Sequence, residues 1–561
     1  MSHKILPHFT LLILSVVTSV QPSSTFRSQT SQTIISQTTC GDVTGVVSTI
    51  GTTSPSVFEF HNVPYAKPPV GALRFAAPRL HNAKNPWVGP VDATEERVVK
   101  CVQGGVGEAA SGTEDCLVMT IRSTDLRVPK PVVVWVHGGG LTIGYCCLKG
   151  YSFDTKLTQM LDVVTVNINF RLGFLGFHSI KELWDTEGGV VANNGIRDII
   201  AALQWIQENI VSFGGDPTSV TIMGHSAGAT ASLALISSPL ALNLFHRVIA
   251  LSPAPEMRLN FKKGSKYQSK IYKVLQGTGC EMADNKKRCL QDLPAGYFTI
   301  HDEHFNPSGK LRPNPFMAYF DFPGRHGEEL VCAGLIMTDP YVVTQAPKHL
   351  AESGSTPLNK VKVILSNTLH ENSVLSFFHQ TNIQTDYASL NDTLEHVIPG
   401  VTSRPVEDVM SLIYEEYSSL SPQLMWDTLT TDMRSTCPTN DVAEAMARSS
   451  NHDIYRLFIT FTTPNMPAFH GLEVESVFGY HFIGNNIPAN GKMRRFRRVL
   501  VDLIRNFAED GSLPEGVGTF PSSTMIIDSS DNMVNISTSK PRETICEKLR
   551  DLGLLEYGWQ N

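Results

Sequence analysis

The sequence predicts an α/β fold, a central, mostly parallel twisted sheet with helices on both faces, and two strand-to-loop junctions carry that prediction. At the first, the apolar run Pro131-Val132-Val133-Val134-Trp135-Val136 ends in His137-Gly138-Gly139-Gly140. At the second, Ser219-Val220-Thr221-Ile222-Met223 runs into Gly224-His225-Ser226-Ala227-Gly228 and then into an Ala/Leu-rich stretch, residues 229–236, that suits a helix. Short continuous apolar runs of this kind fit strands buried on both faces, as in a parallel sheet.

Taken in chain order, His3 and Lys4 precede an apolar stretch, residues 9–20, too short to span a bilayer and followed by polar residues. This pattern predicts a signal peptide over residues 1–22, cut between Ser19 and Ser24. The Ser/Thr/Gln-rich residues 23–39 are expected to be flexible and to lie outside the fold. Family motifs spread along the rest of the chain, described below, predict one domain over residues 40–561.

Three successive glycines at 138–140 let the main chain turn several N–H groups toward one point, where they can hold an oxyanion. In acyl transfer, removing one such donor costs about 3 to 4 kcal/mol of transition-state stabilisation. At 224–228, a glycine on each side of the central Ser226 lets a strand turn sharply into a helix and lifts the serine hydroxyl into the open. Alone, Gly-x-Ser-x-Gly is a weak pattern in a chain with 42 Gly. Paired with the glycine loop it points to an α/β-hydrolase.

That fold orders its catalytic groups as nucleophile, acid, histidine, so an acid and then a base should follow Ser226. Glu371 sits in a loop behind the strand-like Val361-Lys362-Val363-Ile364-Leu365. Later histidines are His379, His396, His452, His470 and His481. His470, shortly after the strand-like Ile454-Tyr455-Arg456-Leu457-Phe458-Ile459, is favoured by position, although spacing leaves the others open.

Longer segments narrow the choice. Phe60-His61-Asn62-Val63-Pro64-Tyr65-Ala66-Lys67-Pro68-Pro69-Val70-Gly71-Ala72-Leu73-Arg74-Phe75, Glu114-Asp115-Cys116-Leu117, Asn169-Phe170-Arg171-Leu172-Gly173-Phe174-Leu175-Gly176 and Phe213-Gly214-Gly215-Asp216-Pro217 occur in this order. With Asn506-Phe507-Ala508-Glu509-Asp510-Gly511 downstream, they resemble the type-B carboxylesterase and cholinesterase family, from about residue 58 almost to Cys546. The resemblance implies a nucleophile at Ser226, a general base and acid at His470, and Glu371 as the carboxylate that orients the imidazole. Backbone N–H groups of Gly139, Gly140 and Ala227 would form the oxyanion hole. It also implies disulfides Cys101–Cys116, Cys280–Cys289 and Cys437–Cys546. Cys40, Cys146, Cys147 and Cys332 are left over, and the adjacent pair is expected to be free because neighbouring cysteines bridge poorly.

Several positions depart from the family pattern. His225 replaces an acidic residue before the nucleophile, Ser366 and Asn372 stand where glycine is common, Ile199 replaces glutamine, and Pro253 replaces glycine. They predict retuned activity with the chemistry retained. The tryptophan on which cholinesterases hold a quaternary ammonium by cation–π attraction is absent between Cys101 and Cys116. The expected substrate is therefore a small hydrophobic or aromatic ester. A non-catalytic binding or adhesion protein on the same scaffold, and a lipase for long-chain esters, are the alternatives.

Composition fits a secreted globular protein. It is 42% hydrophobic over 561 residues, and a net charge of −7 leaves no basic stripe for nucleic acid. No cofactor fingerprint or metal-ligand spacing stands out; His301, Asp302, Glu303 and His304 read as a polar turn. No stretch predicts a membrane span. Asn391 and Asn535 head N-glycosylation sequons.

Overall fold

The computed structural model describes residues 32–49, 56–104, 110–178, 183, 192–255, 279–299, 336–354, 359–373, 386–449, 452–463, 466–479 and 490–555. The predicted signal peptide, the 301–304 group, Cys332, His379 and His481 lie outside them.

The strands are β1 (Thr33–Thr38), β2 (Gly41–Ser48), β3 (Val57–Pro64), β4 (Val91–Asp92), β5 (Val118–Ser123), β6 (Lys130–Val136), β7 (Val164–Ile168), β8 (Gly215–His225), β9 (Arg247–Leu251), β10 (Lys362–Thr368), β11 (Asp453–Ile459), β12 (Thr524–Ile527) and β13 (Val534–Ser537). They form one sheet in the order β1-β2-β3-β5-β7-β6-β8-β9-β10-β11-β12-β13, with β4 beside β2. From β7 to β12 every neighbouring pair is parallel, and antiparallel strands finish both edges. This is the mostly parallel sheet expected from the sequence.

The helices that frame the site are α1 (Thr155–Leu161), α2 (Asn194–Asn209), α3 (Ala227–Ile236), α4 (Pro422–Thr431), α5 (Cys437–Arg448), α6 (Leu472–Phe478), α7 (Gly491–Glu509) and α8 (Glu543–Asp551). Strand β6 explains how they divide. Its Val132, Val134 and Val136 pack with α2, α3 and α5 on one face, while Val133 and Trp135 pack with α1, α6 and α7 on the other. Alternation of side chains along a strand makes both faces apolar and calls for a helical layer on each. In α7, Met493, Phe496, Leu500, Val501, Leu503, Ile504, Phe507 and Ala508 form the buried stripe, and Asn490 caps the helix by accepting from the Met493 N–H at 2.9 Å.

The segment expected to be flexible, residues 23–39, needs correction over its second half. Thr33–Thr38 is a strand, paired antiparallel with β2 from Thr33 opposite Val46 to Thr38 opposite Gly41. Its polarity suggested disorder, but Thr33, Ile34, Ile35 and Thr38 are β-branched and suit a pleated surface. Partners far along the chain then hold it: Ser36 Oγ donates to Ser212 O at 2.9 Å, and the Thr39 N–H donates to Asn209 Oδ1 at 2.8 Å.

Disulfides join Cys101 to Cys116, Cys280 to Cys289 and Cys437 to Cys546, the last tying α8 to the start of α5. Cys40 and Cys146 are buried free thiols and Cys147 is a half-buried one. Among the described residues no helix is long and apolar enough to cross a membrane.

Candidate active site

Ser226 stands between β8 and α3 with φ 55° and ψ −126°. A residue with a side chain held in such a region carries of order 1–3 kcal/mol of strain, sustained only where the surroundings enforce it. Here close packing enforces it. A Cβ on Gly224 would lie 2.4 Å from Gly228 O, and one on Gly228 would lie 2.2 Å from Val136 O, so α3 starts against both its own strand and β6. The Ser226 N–H is anchored to Leu251 O at 2.9 Å. The hydroxyl is thereby raised above the ends of the parallel strands, at the first turn of a helix whose dipole favours negative charge there.

Glu371 follows β10 and His470 follows β11, and a parallel bridge between His370 and Phe469 joins the two loops, with the His370 N–H donating to Ala468 O at 2.9 Å. The register of neighbouring strands therefore sets the distance between acid and base. His470 Nδ1 and Glu371 Oε2 are hydrogen-bonded, and Glu371 Oε1 accepts from the Thr368 N–H at 2.6 Å. Burial pushes the Glu371 carboxyl up, but the charge and hydrogen bond of His470, with those of Thr368 and Ser252, outweigh it and hold the group below its usual range. Glu371 is thus an ionised carboxylate facing Nδ1 of His470.

A second carboxyl lies behind the first. Glu473, fully buried at the start of α6, accepts from Ser252 Oγ at 2.8 Å. Burial, followed by the negative charge of Glu371, pushes its pKa up to about 8. It is a neutral acid at pH 7, so it adds no second negative charge beside Glu371. Neither Ser252 nor Glu473 was singled out from the sequence. Glu473 had a readable signal, three residues after His470 in the chain; Ser252 had none.

His225, 5% exposed, is hydrogen-bonded through Nδ1 to the Tyr151 hydroxyl, and its ring centroid lies 4.5 Å from that of His470. Burial, then the neighbouring His470, pushes its pKa well below the usual value, so it is a neutral imidazole. The residue just before Ser226 therefore touches the histidine that follows β11, which brings the elbow and the Glu371–His470 pair to one point.

The glycine loop reaches the same point. A Cβ on Gly138 would lie 3.0 Å from Ser226 Cβ and 2.8 Å from His225 O, and Gly139 and Gly140 have φ of 113° and 61°. The Gly139, Gly140 and Ala227 amides donate to no other main-chain group among the described residues. They are available to a ligand oxygen. Of the other histidines considered, His396 is exposed on a helix and His452 is buried against Val361 O. Asn391 lies within the helix Tyr387–Val397 and is hydrogen-bonded to the Tyr414 hydroxyl; Asn535 lies on β13 and donates to Asp528 Oδ2 at 2.8 Å. Among the described residues no group of three or more His, Cys, Asp or Glu is arranged to hold a metal ion.

A profile of the carboxylesterase family matches residues 32–549. The chain is 36% identical over 275 residues to a medium-chain fatty acyl-CoA hydrolase precursor of Anas platyrhynchos, an alignment covering 46% of each chain. It is 36% identical over 282 residues to a liver carboxylesterase of Sus scrofa, covering 47% of this chain and 48% of that one. In both, the match spans about half of the relative's own length. It is 27% identical over 521 residues to a cholinesterase of Mus musculus, covering 86% of this chain and 80% of that one.

Proposed function

Because the chain belongs to the carboxylesterase family, an α/β-hydrolase family, we propose that it hydrolyses carboxylic esters through an acyl-enzyme on Ser226. The observation that carries the proposal is the hydrogen-bonded pair of buried Glu371 and half-buried His470 beside a serine held in a strained elbow. A serine hydroxyl is barely ionised at neutral pH, so Oγ attacks the ester carbonyl as His470 Nε2 takes its proton. The carbonyl oxygen becomes negative and is received by the Gly139, Gly140 and Ala227 N–H groups. His470 then protonates the departing alcohol, and Glu371 steadies the imidazolium without accepting its proton. Water, activated by the same imidazole, attacks the acyl carbonyl and frees Ser226.

We place the mature enzyme outside the cell as one catalytic domain, with Asn391 and Asn535 as candidate glycan sites. Three disulfides favour an oxidising compartment. The hydrogen-bonded Glu371–His470 pair beside Ser226 favours the enzymatic reading over a non-catalytic binding protein. Chromogenic short-chain esters test it: the protein should turn them over, and Ser226→Ala, with an unchanged melting temperature, should lose about 10⁶-fold in kcat. Equal turnover by both would overturn the proposal.

A further inference from the structure

The turn that follows the glycine loop ends in two adjacent thiols, Cys146 and Cys147, which neither the proposed chemistry nor the three disulfides use. Their sulfurs lie 2.8 Å apart, inside van der Waals contact, against about 2.05 Å for a disulfide bond. Cys146 is buried, and its N–H donates to Asn169 Oδ1 at 2.7 Å. Cys147 is half-buried and hydrogen-bonded to Thr120 Oγ1 on β5 at 3.3 Å. One sulfur is therefore within reach of a small reagent, and the other stands directly behind it. The Cys147 thiol is held below its usual range, chiefly by the hydrogen bond from Cys146 and then, against burial, by the charge of Arg122 and the hydrogen bond to Thr120. Burial, followed by the Cys147 thiol, pushes Cys146 up. An accessible thiol of lowered pKa backed by a resolving partner is the arrangement of a redox-sensing pair.

Only a few residues separate the pair from the oxyanion loop. The Thr142 and Ile143 N–H groups both donate to Gly139 O at 3.0 Å. Gln103 grips Gly144 from two sides, its Oε1 accepting from the Gly144 N–H and its Nε2 donating to Gly144 O, each at 2.9 Å. A Cβ on Gly144 would lie 2.5 Å from His137 Nδ1 and 2.7 Å from Gly138 O, so the turn has no slack against the loop. A bridge between neighbouring residues is strained, because their Cα atoms are about 3.8 Å apart across a trans peptide and disulfides favour about 4.4–6.8 Å. Residues 144–147 must take up that strain, and the loop packed against them shares it. The same strain leaves the bridge easy to reduce.

We propose that Cys146 and Cys147 form a reversible modification site that exchanges with low-molecular-weight disulfides, closes to a bridge between the two neighbours, and thereby lowers turnover at Ser226. Cys147, as thiolate, attacks one sulfur of the external disulfide and releases one thiol. Cys146 then gives up its proton and attacks the Cys147 sulfur, displacing the second thiol. The protein loses two electrons and two protons, and the external disulfide gains them as it becomes two thiols. The site stands on the geometry of the thiols; its effect on turnover rests on the esterase reading above.

The test equilibrates the intact protein with glutathione disulfide and glutathione at graded ratios, blocks the remaining thiols with iodoacetamide, and maps the digest by mass. Oxidised wild type should yield a peptide bridged between Cys146 and Cys147 and alkylated at neither. Its kcat on a chromogenic ester should fall by roughly tenfold or more, since loss of one whole oxyanion donor costs about 10²–10³-fold. Mild dithiothreitol should restore both thiols and kcat while the three other disulfides remain. Cys146→Ser and Cys147→Ser should each form no bridge and keep their kcat in glutathione disulfide. Glutathione retained on Cys147 without closure, no reaction at either thiol, closure with kcat unchanged, or a kcat response that survives in both variants overturns the proposal and leaves the esterase reading in place. Mass mapping is independent of turnover, so a bridge in a protein that hydrolyses no ester supports the site and counts against the esterase reading alone.

Discussion

Glu473→Gln should flatten part of the pH dependence of stability. Glutamine matches the shape of the protonated side chain and keeps an oxygen for Ser252, but it cannot ionise. The Glu473 carboxyl has a pKa of about 8 in the fold against an ordinary 4.5. Between those values the folded protein holds a proton that the unfolded chain releases. Stability therefore falls as pH rises, by about 1.4 kcal/mol per pH unit; the contribution is fully present below pH 4.5 and gone above about pH 8. From about pH 5.5 to about pH 7.5 the wild type should lose between 2 and 3 kcal/mol relative to the variant. Urea unfolding with the disulfides intact, repeated at several pH values in that range, measures the difference, and the pH-independent effect of the substitution cancels. A wild-type-minus-variant difference that stays constant, or widens in favour of the wild type as pH rises, would refute the assignment of a neutral carboxyl beside Glu371.

Three further outcomes follow from the geometry. Glu371→Gln keeps the shape but removes the charge that fixes the His470 tautomer, so kcat should fall by about 10⁴-fold in steady-state kinetics, with little change in KM. Replacing Cys437 and Cys546 together by Ser opens a link across 109 residues, and chemical denaturation should register a loss of about 4 to 5 kcal/mol. Gly228→Ala would set a Cβ 2.2 Å from Val136 O and should abolish soluble expression or activity, whereas Gly491→Ala, whose Cβ would meet nothing within 4 Å, should melt like the wild type.

The sheet and the elbow were legible because their constraints are local. Apolar runs mark β6 and β8, and glycines appear where main chains approach within van der Waals distance. Strand β1 was obscured because its stability comes from Asn209 and Ser212, about 170 residues away, rather than from its own composition. The Glu371–His470 pairing depends on the register of β10 against β11, which loop spacing alone does not reveal, so those residues were reached through the family resemblance. Ser252, just after β9, and Glu473, at the start of α6, come from separate stretches of chain and meet only in the fold. His225 was visible as an oddity, but its neutral state follows from burial against His470, which only the structure supplies.

The central claim is that Ser226 is an activated nucleophile. Stoichiometric treatment of the intact protein with diisopropyl fluorophosphate, followed by digestion and peptide mass analysis, tests it most directly. The account predicts one phosphoryl adduct, on Ser226, forming in step with loss of esterase activity and absent from Ser226→Ala. Loss of activity with Ser226 unmodified, or no adduct at all, would contradict it.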